Sequence, residues 1–215
     1  MTTVVDVMID RHPERDGLKH LQGFLTEKAQ AQLLCHIEAV VAESPLYVPT
    51  MPGSGRPMSV RMTNCGKLGW VTCKELGYRY QQTHPVTGKP WPAIPEPILD
   101  IWREIAGYHA LPEACLVNWY EPDARLGLHV DRDEQELTAP VVSISLGDDA
   151  WFRIGGPKRR DQTERLRLAS GDVIVLGGEA RLAHHGIDRI LAGTGRLLDR
   201  PGRYNLTLRR VTPAS

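Results

Sequence analysis

From residue 115 onward the chain breaks into short stretches that only strands can satisfy: CLVNWY (115–120), LGLHVD (126–131), PVVSISLG (140–147), AWFRIGG (150–156), RLRLAS (165–170), DVIVLGG (172–178) and RYNLTLRR (203–210). Each is too short for a stable helix, is β-branched or alternates apolar with polar residues, and is closed by glycine or aspartate turns. Several such strands at this spacing cannot bury their apolar faces singly. They predict a sandwich or barrel whose strands share one interior.

The first half reads differently. LTEKAQAQLLCHIEAVVAES (25–44) places Ala29, Leu33, Leu34, Ile37, Val40 and Val41 at helical spacing, which predicts an amphipathic helix ended by Pro45. PTMPGSGRP (49–57) is a loop, and residues 58–80 alternate irregularly, as short strands or a flap do. The proline-rich HPVTGKPWPAIPEP (84–97) excludes regular helix and central strand. Ile98, Ile101, Trp102 and Ile105 then mark a second helix stopped by Gly107. Both helices are expected outside the strand-rich unit.

Composition narrows the function classes. A chain of 215 residues, 41% hydrophobic and 24% charged, suits one globular domain. It holds no apolar run near the ~20 residues of a membrane helix. MTTVVDVMIDRH lacks the basic start and long apolar segment of a secretory signal, and Cys35, Cys65, Cys73 and Cys115 form no C-x-x-C pair. Reduced thiols in a cytoplasmic protein are expected. Net charge is zero, but residues 150–215 carry 13 Lys and Arg against 6 Asp and Glu, which leaves 13 against 20 in residues 1–149. Such a basic C-terminal part can hold an acidic ligand or a nucleic-acid backbone.

The chemistry concentrates in LGLHVDRDE (126–134). On a strand His129, Asp131 and Asp133 share a face, so an imidazole and a carboxylate two residues apart can hold one divalent cation. A distant third ligand is available at His184 or His185. Two histidines and a carboxylate leave coordination positions open, the arrangement of non-haem Fe(II) oxygenases. In RYNLTLRR, alternation puts Arg203, Asn205, Thr207 and Arg209 on one face, against Tyr204, Leu206 and Leu208 on the other. A polar face with two arginines on an apolar-backed strand suits a bound dianion, because guanidinium pairs with carboxylate in bidentate fashion; the other reading is that this face looks to solvent. Asn118 and Tyr120 share a face of the strand before His129 and can line the same pocket.

These pieces together resemble the AlkB family of Fe(II)- and 2-oxoglutarate-dependent dioxygenases. The resemblance spans about residues 20 to 210. It rests on MSVRMTNCGKLGW (58–70), GKPWPAIP (88–95), NWYEPDARLGLHVDRDE (118–134), VVSISLG (141–147), GGPKRRD (155–161), GDVIVLGGEARLAHHGI (171–187) and RYNLTLR (203–209), in family order. It implies a mainly β, α+β fold: a double-stranded β-helix, or jelly roll, with flanking N-terminal helices and a substrate-covering lid. Residues 1–114 would carry the helices and the nucleotide-recognition lid, and residues 115–215 the catalytic core, together one compact domain.

The resemblance implies His129, Asp131 and His185 as metal ligands, choosing His185 by its H-G-I step. It sets Asn118, Tyr120, Arg203, Asn205 and Arg209 around 2-oxoglutarate. Trp70, Tyr78, Asp133, Glu134 and Arg159 would hold the flipped base. The chain departs from the best-known bacterial pattern by one extra residue between Trp70 and Tyr78, and by Trp119 where a basic residue is common. The implied activity uses Fe(II), 2-oxoglutarate and O2 to demethylate 1-methyladenine and 3-methylcytosine in DNA or RNA, releasing formaldehyde. The expected partner is alkylated, single-stranded DNA, met by a monomer with no membrane role. Two other readings compete: the same machinery acting on RNA, protein or a small molecule, and a non-catalytic jelly-roll metal-binding module.

Overall fold

The computed structural model describes residues 9–10 and 16–214. The stretch MTTVVDVMIDRH, which lacks the features of a secretory signal, lies outside the described residues but for Ile9 and Asp10. Thirteen strands and two helices follow in the order β1 (Ile9–Asp10), β2 (Leu18–Leu21), α1 (Glu27–Glu43), β3 (Val60–Gly66), β4 (Gly69–Cys73), β5 (Gly77–Gln81), α2 (Glu96–Ile105), β6 (Ala114–Tyr120), β7 (Leu126–His129), β8 (Val141–Gly147), β9 (Asp149–Ile154), β10 (Glu164–Leu168), β11 (Val173–Leu176), β12 (His185–Leu191) and β13 (Arg203–Arg209). A 3-10 turn, Gly178–Leu182, precedes β12. No described helix is long and apolar enough to cross a membrane.

The strands form a seven-stranded sheet, β1-β2-β11-β8-β13-β6-β3, a four-stranded sheet, β10-β9-β12-β7, and the separate hairpin β4-β5. All named pairings are antiparallel. The two larger sheets pack face to face as a double-stranded β-helix. Period-two alternation decides what each strand shows to either side. Val141, Ile174 and Leu176 point inward to meet Phe152, Ile154, Leu168 and Ile187 of the smaller sheet. Val142, Ile144, Val173, Val175, Leu206 and Leu208 point outward to meet the helices. Each fully buried side chain of this size stabilises by roughly 1.5–3 kcal/mol, so the helices are part of the core and not decoration.

α1 begins where the Thr26 hydroxyl accepts from the Ala29 N–H at 3.3 Å, and its Leu33, Ile37 and Val40 are buried. α2 buries Ile98, Ile101 and Trp102. It ends before Gly107, whose φ of 64° suits only glycine without strain.

Three features differ from the sequence reading. β12, HGIDRIL, is a full strand that the sequence does not announce, because it follows LAH without turn residues and carries Asp188 and Arg189 in its middle. β2 and β3 both belong to the large sheet, so that sheet is not confined to the residues after 114. β7 stops at His129, and the face-sharing argument for Asp131 and Asp133 does not apply beyond it.

One buried pair ties the N-terminal strand to the sheet. His20 Nε2 lies 3.0 Å from Asp172 Oδ2, and Asp172 also accepts from the N–H groups of Gly23 (2.8 Å) and Ala169 (2.9 Å). Burial alone would raise the Asp172 pKa, but these hydrogen bonds win and hold it below the ordinary carboxylate value. Its stabilising contribution is therefore complete above the unfolded value of about 3.9 and is lost as pH falls through the lower folded value. Asp172→Asn should cost about 2 kcal/mol at pH 7 in urea unfolding. The gap to the wild type should narrow at pH 3; a gap independent of pH would contradict this role.

Candidate active site

Between the two sheets opens a cavity of about 640 Å³. Its inner wall comes from the polar faces of β6 and β13. Asn205 stands in register with both Asn118 on β6 and Ser145 on β8. Asn118, Tyr120, Asn205, Thr207 and Arg209 all line the cavity. Along β13 the polar residues therefore face inward while Leu206 and Leu208 join the outer core, as the alternation predicts.

The three candidate metal ligands converge at one side of this cavity. The register of β12 against β7 sets His185 directly opposite His129, with ring centroids 4.5 Å apart. Gly186 permits the approach, since a Cβ there would sit 2.4 Å from the Leu126 carbonyl oxygen. This is the physical content of the H-G-I step. Asp131, on the loop after β7, brings its carboxylate between the rings, 3.8 Å from each Nε2. Ligand atoms of His129, Asp131 and His185 all lie within 4.8 Å of one another. Each Nδ1 is 3.0 Å from a backbone carbonyl, Gly127 for His129 and Ala183 for His185. Donation from Nδ1–H to that carbonyl leaves both Nε2 lone pairs aimed at the common centre. His184 also lines the cavity but stands outside this cluster.

The electrostatics favour a cation there. Burial would raise the Asp131 pKa, but Arg209 and the two histidines hold it well below the carboxylate range. Burial and the neighbouring His129 pull His185 down to about 4, so its imidazole is neutral and available as a ligand. Arg209 donates to Asp131 Oδ2 from Nε (3.2 Å) and Nη2 (2.9 Å). Burial opposes its charge, but Asp131, Tyr80 and Glu134 more than offset that and raise its pKa. Its Nη1 is buried without a partner among the described residues. An unpaired guanidinium donor on the cavity wall is what an incoming carboxylate would satisfy. Two imidazoles, one carboxylate and open positions fit a divalent iron, and the polar wall with Arg209 fits a small dicarboxylate.

Arg203 is placed differently from its neighbours. It is fully buried and lies outside the cavity lining. Its Nη1 donates to the carbonyls of Asp148 (3.0 Å) and Leu168 (3.4 Å), and its Nη2 bonds the Ser145 hydroxyl. Only Nε lacks a partner among the described residues. Of the two arginines that share this face of β13, Arg209 lines the cavity and Arg203 does not. Trp119 faces away from the cavity, buried against Tyr204 and bonded to Glu121, so this departure from the family pattern sits outside the site.

The cavity mouth is framed by the hairpin. Asn64 on β3 bonds the backbone N–H and carbonyl of Trp70, each at 3.0 Å, and so fixes the start of β4. Trp70 and Tyr78 stack with centroids 5.4 Å apart and planes 21° from parallel. The Trp70 indole N–H donates to Asp133 Oδ2 at 2.8 Å. Arg159 lines the cavity and donates to the Leu128 carbonyl at 2.6 Å.

Glu134 requires a correction. It is absent from the cavity lining, and its side chain is 2% exposed. Because the chain leaves the strand at His129, Glu134 turns inward, where the Tyr80 hydroxyl and Arg181 donate to it. Tyr80 and Arg181 are two residues of the site that sequence reasoning passes over, though an arginine inside the apolar run LGGEARLA is a usable signal. Arg125 and Arg132, exposed at the mouth, are two more.

The 2OG-Fe(II) oxygenase superfamily matches residues 17–209. An AlkB homolog of Caulobacter vibrioides, an alpha-ketoglutarate-dependent dioxygenase, is 52% identical over 194 residues, which covers 89% of this chain and 86% of the homolog. AlkB of Escherichia coli is 44% identical over 217 residues, 97% of this chain and 98% of that protein. The solved structure of OsALKBH1 superposes with a TM-score of 0.77 at 32% identity, covering 91% of this chain and 97% of that one. A jelly roll holding a convergent His-Asp-His set and an inward-facing arginine thus agrees with whole-length similarity: this chain belongs to the 2OG-Fe(II) oxygenase superfamily and is an AlkB-type Fe(II)/2-oxoglutarate-dependent dioxygenase.

Proposed function

We propose that this protein repairs alkylated DNA by oxidative demethylation of 1-methyladenine and 3-methylcytosine. The observation that carries the reading is the pairing of a stacked Trp70–Tyr78 face with the Asp133 carboxylate at the mouth of the cavity that holds His129, Asp131 and His185. When bound, Fe(II) with 2-oxoglutarate and O2 supplies the oxidation: 2-oxoglutarate becomes succinate and CO2, and the N-methyl group leaves as formaldehyde.

The chain's own residues do the rest. His129, Asp131 and His185 would hold the iron. Arg209 would take a carboxylate of 2-oxoglutarate through its unpartnered Nη1, with Asn118, Tyr120 and Asn205 along the wall. Arg203 stands behind that wall. Burial pulls its pKa down only to about 10, so it stays charged at neutral pH, and its unpartnered Nε supports a role toward the far carboxylate.

The methylated bases are cationic near neutral pH, unlike their parents. An aromatic face attracts such a cation and Asp133 complements its charge. Among the described residues the hydrogen bonds of Asp133 come from Trp70 alone, through Oδ2, which leaves Oδ1 for an exocyclic amine. Arg125, Arg132 and Arg159 at the rim suit the phosphates beside a flipped nucleotide.

In this reading residues 1–114 supply the helices and the recognition lid, together with strands β1–β3 of the large sheet, and residues 115–215 the rest of the catalytic core. Single-stranded DNA is the favoured substrate because unstacking a base costs least there. The protein acts as a monomer, since its own residues complete the cavity. A cytoplasmic place agrees with four cysteines carried as free thiols.

With Fe(II), 2-oxoglutarate, O2 and a single-stranded oligonucleotide bearing 1-methyladenine, the wild type should release formaldehyde, and His129→Ala and Asp131→Ala should release none. Oxoglutarate consumption without base repair would point to a substrate other than these bases. Asp133→Ala should lower repair by roughly 1–3 kcal/mol in kcat/KM for the cationic base, with metal affinity retained. Equal loss of repair and metal binding would contradict a substrate role for Asp133.

A further inference from the structure

Beneath the metal-ligating residues lies a second set of charged side chains with no assigned part in the reaction. Glu134 Oε2 accepts from Arg181 Nη2 at 3.1 Å; Oε1 accepts from the Tyr80 hydroxyl and lies 3.3 Å from Arg209 Nε. Arg181, 4% exposed, also donates to the carbonyls of Asp131 (2.6 Å) and Ala139 (2.9 Å). Arg209 closes the circuit on the Asp131 carboxylate. Two guanidinium groups thus face two carboxylates, all buried, and their formal charges cancel. Away from water an uncompensated charge is costly, so this balance governs which further ions can enter. A divalent cation adds two positive charges and 2-oxoglutarate two negative ones. A cluster that starts neutral ends neutral when both are in place.

We propose that Glu134 is a positioning residue for the metal: it cancels the second guanidinium and holds Arg209 and Arg181 so that Asp131 remains an effective ligand. This rests on the Fe(II)/2-oxoglutarate reading of the site. Without the Glu134 charge, two guanidinium groups stand against one carboxylate. The excess positive charge opposes a divalent cation and favours a dianion. Loss of Glu134 therefore moves the two ligands in opposite directions, whereas a role in packing alone would weaken both. The phenol of Tyr80 stays protonated, since burial pushes its pKa well above the ordinary value, and it donates to Glu134 from β5. The hairpin at the cavity mouth is thereby tied to the same carboxylate.

The test is calorimetric titration with Co(II) as a redox-stable metal, followed by 2-oxoglutarate into the Co(II)-saturated protein, with circular-dichroism melts to establish folding. Glu134→Gln should bind Co(II) roughly tenfold more weakly than wild type. Its 2-oxoglutarate affinity should be tighter than that of the wild type. Glu134→Met/Arg181→Met removes the charges as a pair and should bind Co(II) within about threefold of wild type, because a balanced buried pair can be replaced at little cost. Wild-type Co(II) affinity in Glu134→Gln, or equal weakening of both ligands, would overturn the proposal. If Glu134→Gln does not fold, Arg181→Met decides: it leaves one guanidinium against two carboxylates, so 2-oxoglutarate should bind more weakly while Co(II) affinity is retained, and equal weakening of both overturns the proposal. Failure of the wild type to bind Co(II) would instead overturn the metal reading itself, and the proposal with it.

Discussion

The site depends on one cross-strand register. β7 and β12 pair so that His129 faces His185, and the glycine after His185 removes the Cβ that would otherwise meet the Leu126 carbonyl. A slip of one residue would turn one imidazole to the opposite face of the sheet. The ligand set would then lose its third member however well the rest of the jelly roll formed. The Asp131–Arg209 pair completes the arrangement by joining the loop after β7 to the last strand of the opposite sheet. The ligands thus come from one sheet and the loop after β7, and the opposite sheet contributes the arginine that holds the ligand carboxylate.

The same contacts give the cavity two kinds of surface. Deep in the interior, polar side chains of β6 and β13 and an unpartnered arginine donor suit a dicarboxylate. At the mouth, the stacked Trp70–Tyr78 pair and Asp133 suit a flat cation. The segment 129–134 serves both ends: His129 and Asp131 turn toward the centre, Asp133 toward the mouth, and Glu134 back into the protein. Crowding three carboxylates into six residues is tolerable because each has positive or hydrogen-donating partners: Arg209 for Asp131, Trp70 for Asp133, and Tyr80, Arg181 and again Arg209 for Glu134.

Much of this is legible in the sequence wherever alternation holds. The inner and outer faces of β6, β8, β11 and β13 follow from period two, and both helices follow from their apolar spacing and their stops. Legibility fails where the chain leaves regular structure. Past His129 no periodicity predicts which way a side chain turns, and so Glu134 reads as a substrate contact although it is buried. β12 carries charge in its middle because Asp188 pairs with Arg153 on the adjacent β9 and Arg165 on β10 beyond it, a tertiary fact that no local pattern contains. Arg203 and Arg209 share a face of β13, yet only Arg209 reaches the cavity, because Ser145 and two backbone carbonyls capture the Arg203 guanidinium. The choice between His184 and His185 needed either the family pattern or the register of β12.

The central claim is that this cavity couples oxidation of 2-oxoglutarate to removal of a methyl group from a cationic base. Mass spectrometry of a single-stranded oligonucleotide carrying one 1-methyladenine, incubated with the protein, Fe(II), 2-oxoglutarate and O2, tests it most directly when succinate is quantified in the same reaction. The account predicts that the oligonucleotide loses the mass of one CH2 unit, with one succinate formed for each base restored. Succinate formed while the oligonucleotide mass stays unchanged would contradict it.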